Sequence, residues 1–205
     1  MLPDGRVCGP FRLILLVNRS VRYIYLNWPI GMNKAQPDID NERAGAGGFR
    51  FAVVASRWNS EFTDKLQSSA VDALIENGAT ERDIETFKVP GAFELPLACL
   101  KAALTARFDA VIALGVVVRG DTPHFDFVAG EAARGITEAS LRSGVPVLFG
   151  VITADTFEQV VERCGEREAN KGYEAAVAAI EVANLYREMA DQGSQGREKI
   201  FSHVV

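Results

Sequence analysis

A chain of 205 residues, 48% hydrophobic and 24% charged, is long enough to bury the core of one α/β domain. The net charge of −5, with no basic residues clustered on one evident face, argues against a general nucleic-acid binder, and no stretch approaches the roughly 20 apolar residues of a membrane span. Cys8, Cys99 and Cys164 are too widely spaced for a disulfide framework or a zinc site, which points to a reducing cytosol.

The first 48 residues differ from the rest. Phe11–Val17 is apolar but interrupted by Arg12. Its short core and the lack of a clean small-residue cleavage site make it a poor signal peptide. From Met32 runs a polar, glycine-rich lead, MNKAQPDIDNERAGAGG, of the kind that precedes a domain without folding alone. Met32 is therefore expected to be the true start, with residues 1–31 outside the native protein.

From Phe49 strand-type and helix-type segments alternate. Phe51–Ala55 reads as a buried strand, ending in Ser56-Arg57-Trp58-Asn59. Phe62, Leu66, Ala70, Ala73 and Leu74 share one face of a helix that starts near Ser60 and stops at Gly78. Ile84–Val89 predicts a second strand, closed by Pro90-Gly91-Ala92-Phe93-Glu94, and Leu97, Leu100, Lys101 and Leu104 mark the next helix. The apolar run before Gly115 is too short for a lone helix and predicts a buried strand. At Arg119 its character changes. Thr122 then Pro123 reads as N-cap and first-turn residue of a helix. Phe125, Val128, Ala132 and Ile136 continue that helix to a stop at Gly144. Val145–Ile152 is the fourth strand, and Asp155-x-x-Glu158 reads as a capping box for a short helix reaching Arg163. Tyr173, Val177, Ile180 and Asn184 mark a last helix from about Asn170 to Met189, followed by a loose tail, residues 190–205. Four such alternations require right-handed crossovers and a parallel sheet covered on both faces.

Polar and aromatic outliers collect after the strands: Trp58-Asn59, Phe93-Glu94, Arg119 to His124, and Phe149 with Thr153. In open α/β sheets ligands bind at the carboxyl ends of the strands, and a helix start there favours an anion. Each residue also has a plain structural explanation. Trp58 can pack at a helix start, Phe93 can anchor a turn, Glu94 can answer a helix dipole, and Phe149 can be core. Together they offer an aromatic surface, a carboxylate, backbone amides and a base. That set suits a planar polar ring with a hydroxylated side chain and a phosphate.

His124 is one of two histidines, the other being His203 in the tail. The positive end of its helix favours a neutral imidazole, the form that accepts a proton. A solvated histidine at a helix start satisfies the same position. Lys171 begins a helix, where a cation is either solvated or answers an anion. No GxGxxG follows the first strand, and P-loop, Gly-x-Ser-x-Gly and metal-ligand spacings are absent from the sequence. Arg119-Gly120-Asp121 ends a buried strand, which is no place for an adhesion motif.

Pro90–Pro96 (PGAFELP), Gly115–Val128 (GVVVRGDTPHFDFV), Pro146–Thr153 (PVLFGVIT) and Asn170–Gly172 (NKG) resemble the signature blocks of the 6,7-dimethyl-8-ribityllumazine synthases. The resemblance runs from about Phe49 to Met189 with the blocks in order. It implies a three-layer α/β/α sandwich, flavodoxin-like, with a central, mainly parallel four-stranded sheet. It also implies the penultimate step of riboflavin biosynthesis: condensation of 5-amino-6-(D-ribitylamino)uracil with 3,4-dihydroxy-2-butanone 4-phosphate, without metal or organic cofactor.

Residue by residue, the resemblance makes His124 the proton-transfer histidine and Trp58 the aromatic that stacks on the pyrimidine. Ala92, Phe93 and Glu94 would hold the ring and ribityl chain, while Val116, Val117 and Val118 supply main-chain contacts. Asp121 and Thr122 match the phosphate-binding turn and Arg163 the phosphate-binding arginine. Phe149 matches an aromatic wall and Lys171 a charged lining residue. Ala169 departs from the family's usual glycine. Family members assemble as pentamers with sites between subunits, some as shells of sixty subunits, and association with riboflavin synthase is a further implied partnership. The short segment 164–169 (CGEREA) lacks the insertion of members that stop at pentamers, which favours a shell. Two other readings stay open: a relative on the same scaffold such as archaeal riboflavin synthase, and a non-catalytic flavin carrier or shell protein. The intact blocks around Glu94 and His124 count against the first.

Overall fold

The computed structural model describes the backbone of residues 14–17, 20–23 and 45–201, and the side chains of 45–192 except Glu168. Met32, most of the polar lead, Cys8 and His203 lie outside the described residues. In the N-terminal unit, β1 (Ile14–Val17) pairs antiparallel with β2 (Ser20–Tyr23), inside a segment where sequence analysis expects no element.

The second unit is built on four parallel strands. These are β3 (Phe51–Ser56), β4 (Ile84–Val89), β5 (Ala110–Val118) and β6 (Val147–Ala154), in the spatial order β4-β3-β5-β6. All six β3 residues are buried, as expected of an apolar strand covered on both faces. β4, at one edge, keeps only partly buried and exposed residues.

Helices cover both faces. On one, α1 (Ser60–Glu76) and α5 (Lys171–Phe201) join a core of Phe51, Leu66, Leu74, Ile112, Leu114 and Ile180. On the other, α2 (Leu95–Ala103) and α3 (His124–Ser143) pack Leu95, Cys99, Ala132 and Ile136 against Val54 and Val111. Burying each large aliphatic or aromatic side chain contributes about 1.5–3 kcal/mol. Periodicity anticipates α1 well: Phe62, Leu66, Ala70, Ala73 and Leu74 are its buried apolar residues, joined by Thr63. Gly78 (φ 102°) and Gly144 (φ 72°) take the left-handed backbone that ends a helix at little cost. α5 approaches α1 so closely that a Cβ on Gly172 would overlap the Leu66 carbonyl.

Four local expectations are corrected. In α2 the buried stripe is Leu95, Cys99, Ala102 and Ala103, while Leu97 and Leu104 face outward. The helix is apolar on several sides, so spacing alone does not choose its inner face. α3 begins at His124 after Pro123, and Thr122 makes no capping hydrogen bond. α4 (Phe157–Glu162) is capped by Thr156, whose hydroxyl accepts from the Gln159 N–H at 3.4 Å, rather than by Asp155. Asp155 instead receives the Arg119 guanidinium. Finally, α5 continues past Met189 to Phe201, since no proline interrupts that stretch.

Candidate active site

β5 outruns its neighbour. Its pairing with β3 ends at Ala55↔Leu114, whereas pairing with β6 continues to Val118↔Ala154. Gly115 to Val118 therefore have a strand partner on the β6 side only. Backbone groups left over on such an edge need other partners, and one is supplied by Asn59, whose side-chain amide donates to the Val116 carbonyl at 3.0 Å. Asn59 has φ 58°, a left-handed conformation that asparagine tolerates better than most residues. β3 turns away there and α1 starts, leaving the β5 edge open where the strand order reverses. That reversal is the usual ligand crevice of a doubly wound sheet.

Around this edge stand the residues from the first three strand ends. The N–H groups of Arg57 and Trp58 donate to the carbonyls of Val89 (2.8 Å) and Pro90 (3.1 Å), which ties the ends of β3 and β4 together. The Trp58 side chain is 70% exposed and Phe93 58% exposed, so both rings are free to receive a flat molecule. Glu94 accepts the Gly91 N–H through Oε2 at 2.8 Å. A Cβ on Gly91 would lie 3.1 Å from Glu94 Oε2 and 3.9 Å from Trp58 Cδ2, so the carboxylate and the indole flank one glycine. Ala92 is buried beneath them. Val116 and Val117 are buried and Val118 partly so, leaving their main chain as the part able to meet a ligand.

Beyond Val118 the Asp121, Thr122 and His124 side chains are exposed. His124 is the first residue of α3, where backbone N–H groups lack helical acceptors and the dipole favours an anion. The nearby Arg119 is held by two carboxylates and a ring. Its Nε donates to Asp155 at 2.8 Å, its terminal nitrogens to Asp126 at 3.1 and 3.3 Å, and its guanidinium lies 4.1 Å from the Phe125 ring centre. The hydrogen bonds to Asp126 and then Asp155 push its pKa further up.

Phe149, Arg163 and Lys171 gather elsewhere. They line a concavity of about 370 Å³ together with Ile152, Thr153 and Glu174. It takes β6 residues from both faces of the sheet, so it follows the outer edge of that strand, beside α5. Sequence analysis places Phe149 at a strand end; it is the third residue of β6, opposite Ala113 and 46% exposed. Arg163 follows α4 directly and donates to the Gln159 carbonyl at 2.8 Å. Lys171 donates to Glu174 at 2.6 Å, so an anion within its own helix already answers the cation. Asn170 orients this start: its buried side chain accepts the Gly172 N–H at 2.8 Å and donates to the Gly165 carbonyl at 2.9 Å. Trp58, Phe93, Glu94 and His124 do not line this concavity. A larger one, about 520 Å³ between α1 and residues 164–170, holds none of the sequence-predicted site residues.

Asn59 and Arg119, which the sequence places among the strand-end residues without a role, are structural contributors. The signal was local in both cases: a polar side chain just beyond an apolar strand, three residues after β3 for Asn59 and directly after β5 for Arg119.

A doubly wound parallel sheet, open at its switch point and edged there by exposed aromatic rings and a helix start, defines an α/β fold of the class whose ligand crevice lies at the carboxyl edge. The description "6,7-dimethyl-8-ribityllumazine synthase" belongs to the family model that matches residues 48–187. Over 145 residues, 71% of this chain and 94% of the relative, the sequence is 50% identical to a 6,7-dimethyl-8-ribityllumazine synthase of Chlorobium phaeovibrioides (strain DSM 265 / 1930). This chain belongs to the 6,7-dimethyl-8-ribityllumazine synthase family.

Proposed function

We propose that residues 49–189 form the catalytic domain, which condenses 5-amino-6-(D-ribitylamino)uracil with 3,4-dihydroxy-2-butanone 4-phosphate in riboflavin biosynthesis. The observation that carries the reading is the β5 edge, open over Gly115–Val118 between the Trp58 ring and the start of α3. A pyrimidine stacked on Trp58 meets main-chain donors and acceptors of Val116 to Val118, as a planar polar ring requires. Glu94 Oε2 is engaged by Gly91, so Oε1 is the oxygen that accepts from ribityl hydroxyls. Asp121 and Thr122 offer the phosphate their amides, with the aspartate side chain turned away from the anion.

The 5-amino group attacks the ketone carbonyl and one water leaves, forming an imine. A proton leaves the carbon bearing the remaining hydroxyl, the carbon–oxygen bond to phosphate breaks, and the resulting enol becomes a ketone. The ribitylamino nitrogen attacks that ketone, and loss of a second water closes the ring. His124 moves protons in these steps. Holding amine and ketone in register supplies much of the gain, because the uncatalysed partners already react.

Arg163, with Lys171 and Phe149, completes the site from a neighbouring subunit in a head-to-tail ring of five. The separation of the two groups in one chain supports this: one surrounds the β5 edge on the β3 side, the other follows the outer edge of β6. Assembly into a larger shell and association with riboflavin synthase extend the same reading. The unpaired thiols of Cys99 and Cys164 fit a cytoplasmic setting. Incubating the protein with both substrates tests the function: lumazine absorbance and one phosphate released per ring support it, and substrates left unchanged refute it.

A further inference from the structure

We infer that Arg119 is a positioning residue for the reaction, holding the first turn of α3, and with it His124, against the end of β6. The inference rests on the role given to His124 above. Among the described residues, no side chain between Gly120 and Pro123 makes a hydrogen bond, and α3 has no side-chain N-cap. The turn that delivers His124 thus lacks the usual local restraint of a side-chain cap. Arg119 restrains it from outside.

The Arg119 backbone N–H donates to the Ala154 carbonyl at 2.9 Å, which fixes the residue at the junction of β5 and β6. From there Nε reaches Asp155, and the two terminal nitrogens reach both oxygens of Asp126, two residues after His124. The Phe125 ring packs beneath the guanidinium at 4.1 Å. Exposed single ion pairs contribute little, but a bidentate arginine in a three-residue network has defined geometry.

The same contacts count against a different role. Each of the three guanidinium nitrogens already donates to a carboxylate, so turning the group onto the substrate phosphate would break contacts that hold the turn. Lysine is no equivalent, because one ammonium does not span two carboxylates in different directions.

Steady-state kinetics of Arg119→Met, Arg119→Lys, His124→Ala and the double variant His124→Ala/Arg119→Met, all in the assembled protein, test the inference. Arg119→Met is expected to lower kcat by about tenfold with both KM values changed by less than about twofold, and Arg119→Lys to recover part of that loss. In the His124→Ala background, the same methionine is expected to cost less than about twofold, since there is no imidazole left to place. Should Arg119→Met fail to assemble, Asp126→Asn carries the same cycle, because it weakens only the arm to α3. Equal losses in both backgrounds would overturn the inference, as would a raised KM for the butanone phosphate alone. If His124→Ala itself runs at the full rate, the histidine's role fails instead, whatever Arg119 does.

Discussion

The two groups of site residues are built in opposite ways. Around the β5 edge most side chains of the group are left unanswered: Trp58 and Phe93 project into solvent, and His124, Asp121 and Thr122 are exposed, while Glu94 holds the Gly91 N–H. In the β6 concavity the charges are already answered within the chain, Lys171 by Glu174 and Arg163 by the Gln159 carbonyl. The first group is therefore ready for a neutral stacked ring. On the proposed reading, the second exchanges internal partners for the phosphate, which suits a group that binds a dianion without holding it after it leaves. Proton transfer then falls to the first group and the cationic contact to the phosphate falls to the second, so on this proposal mutations in the two regions should separate in kinetics.

The largest effect is expected at His124. His124→Ala should lower kcat by roughly tenfold to a thousandfold while binding of the ribitylamino-uracil changes little. Steady-state rates with a titration of the pyrimidine check this, and an unchanged kcat would remove His124 from the mechanism.

Arg163→Ala should act on the other axis. We expect a KM for the butanone phosphate raised by about tenfold, with the pyrimidine's KM nearly constant, because a guanidinium on a phosphate is mostly a binding contact. Equal weakening for both substrates would mean that Arg163 only supports the end of α4.

Mixing the two variants tests whether the regions of neighbouring copies meet. The His124→Ala and Arg163→Ala proteins, unfolded together and refolded, should give intact sites at roughly a quarter of interfaces in a closed ring. Activity at low butanone phosphate should then exceed that of either variant by severalfold. An average of the two, with mixed subunits confirmed by mass, would place the whole site within one chain.

The smallest effect sharpens the comparison. Glu174→Gln removes the carboxylate that holds Lys171 at 2.6 Å and leaves the ammonium free for an outside anion. The KM for the butanone phosphate should fall by about twofold, with kcat unchanged, as expected for an exposed pair of small worth. A rise would show that Glu174 orients Lys171 rather than competing for it.

Local chemistry made much of this legible in the sequence. The FAVVA run predicts a buried strand, the α1 stripe is the buried one, and Gly78 and Gly144 stop their helices as their positive φ values require. These features depend on side-chain spacing and backbone sterics within a few residues. Where spacing was ambiguous, tertiary contacts decided: α2 has apolar residues on several sides, and only the sheet selects Leu95 and Cys99 over Leu97 and Leu104. The cap at α4 shifted from Asp155 to Thr156 because a long-range partner, Arg119, takes the aspartate.

The candidate site divides along the same line. The residue types and their order are written in the chain, from Trp58 to Lys171. The strand order β4-β3-β5-β6 is a matter of long-range pairing, and it alone sets the end of β3 beside an overrunning β5 to open the crevice. Whether Phe149 stands with His124 or with Arg163 also depends on register across strands, five pairs along β6 from the Val118↔Ala154 end. No local pattern carries that information, because register is set by partners distant in sequence.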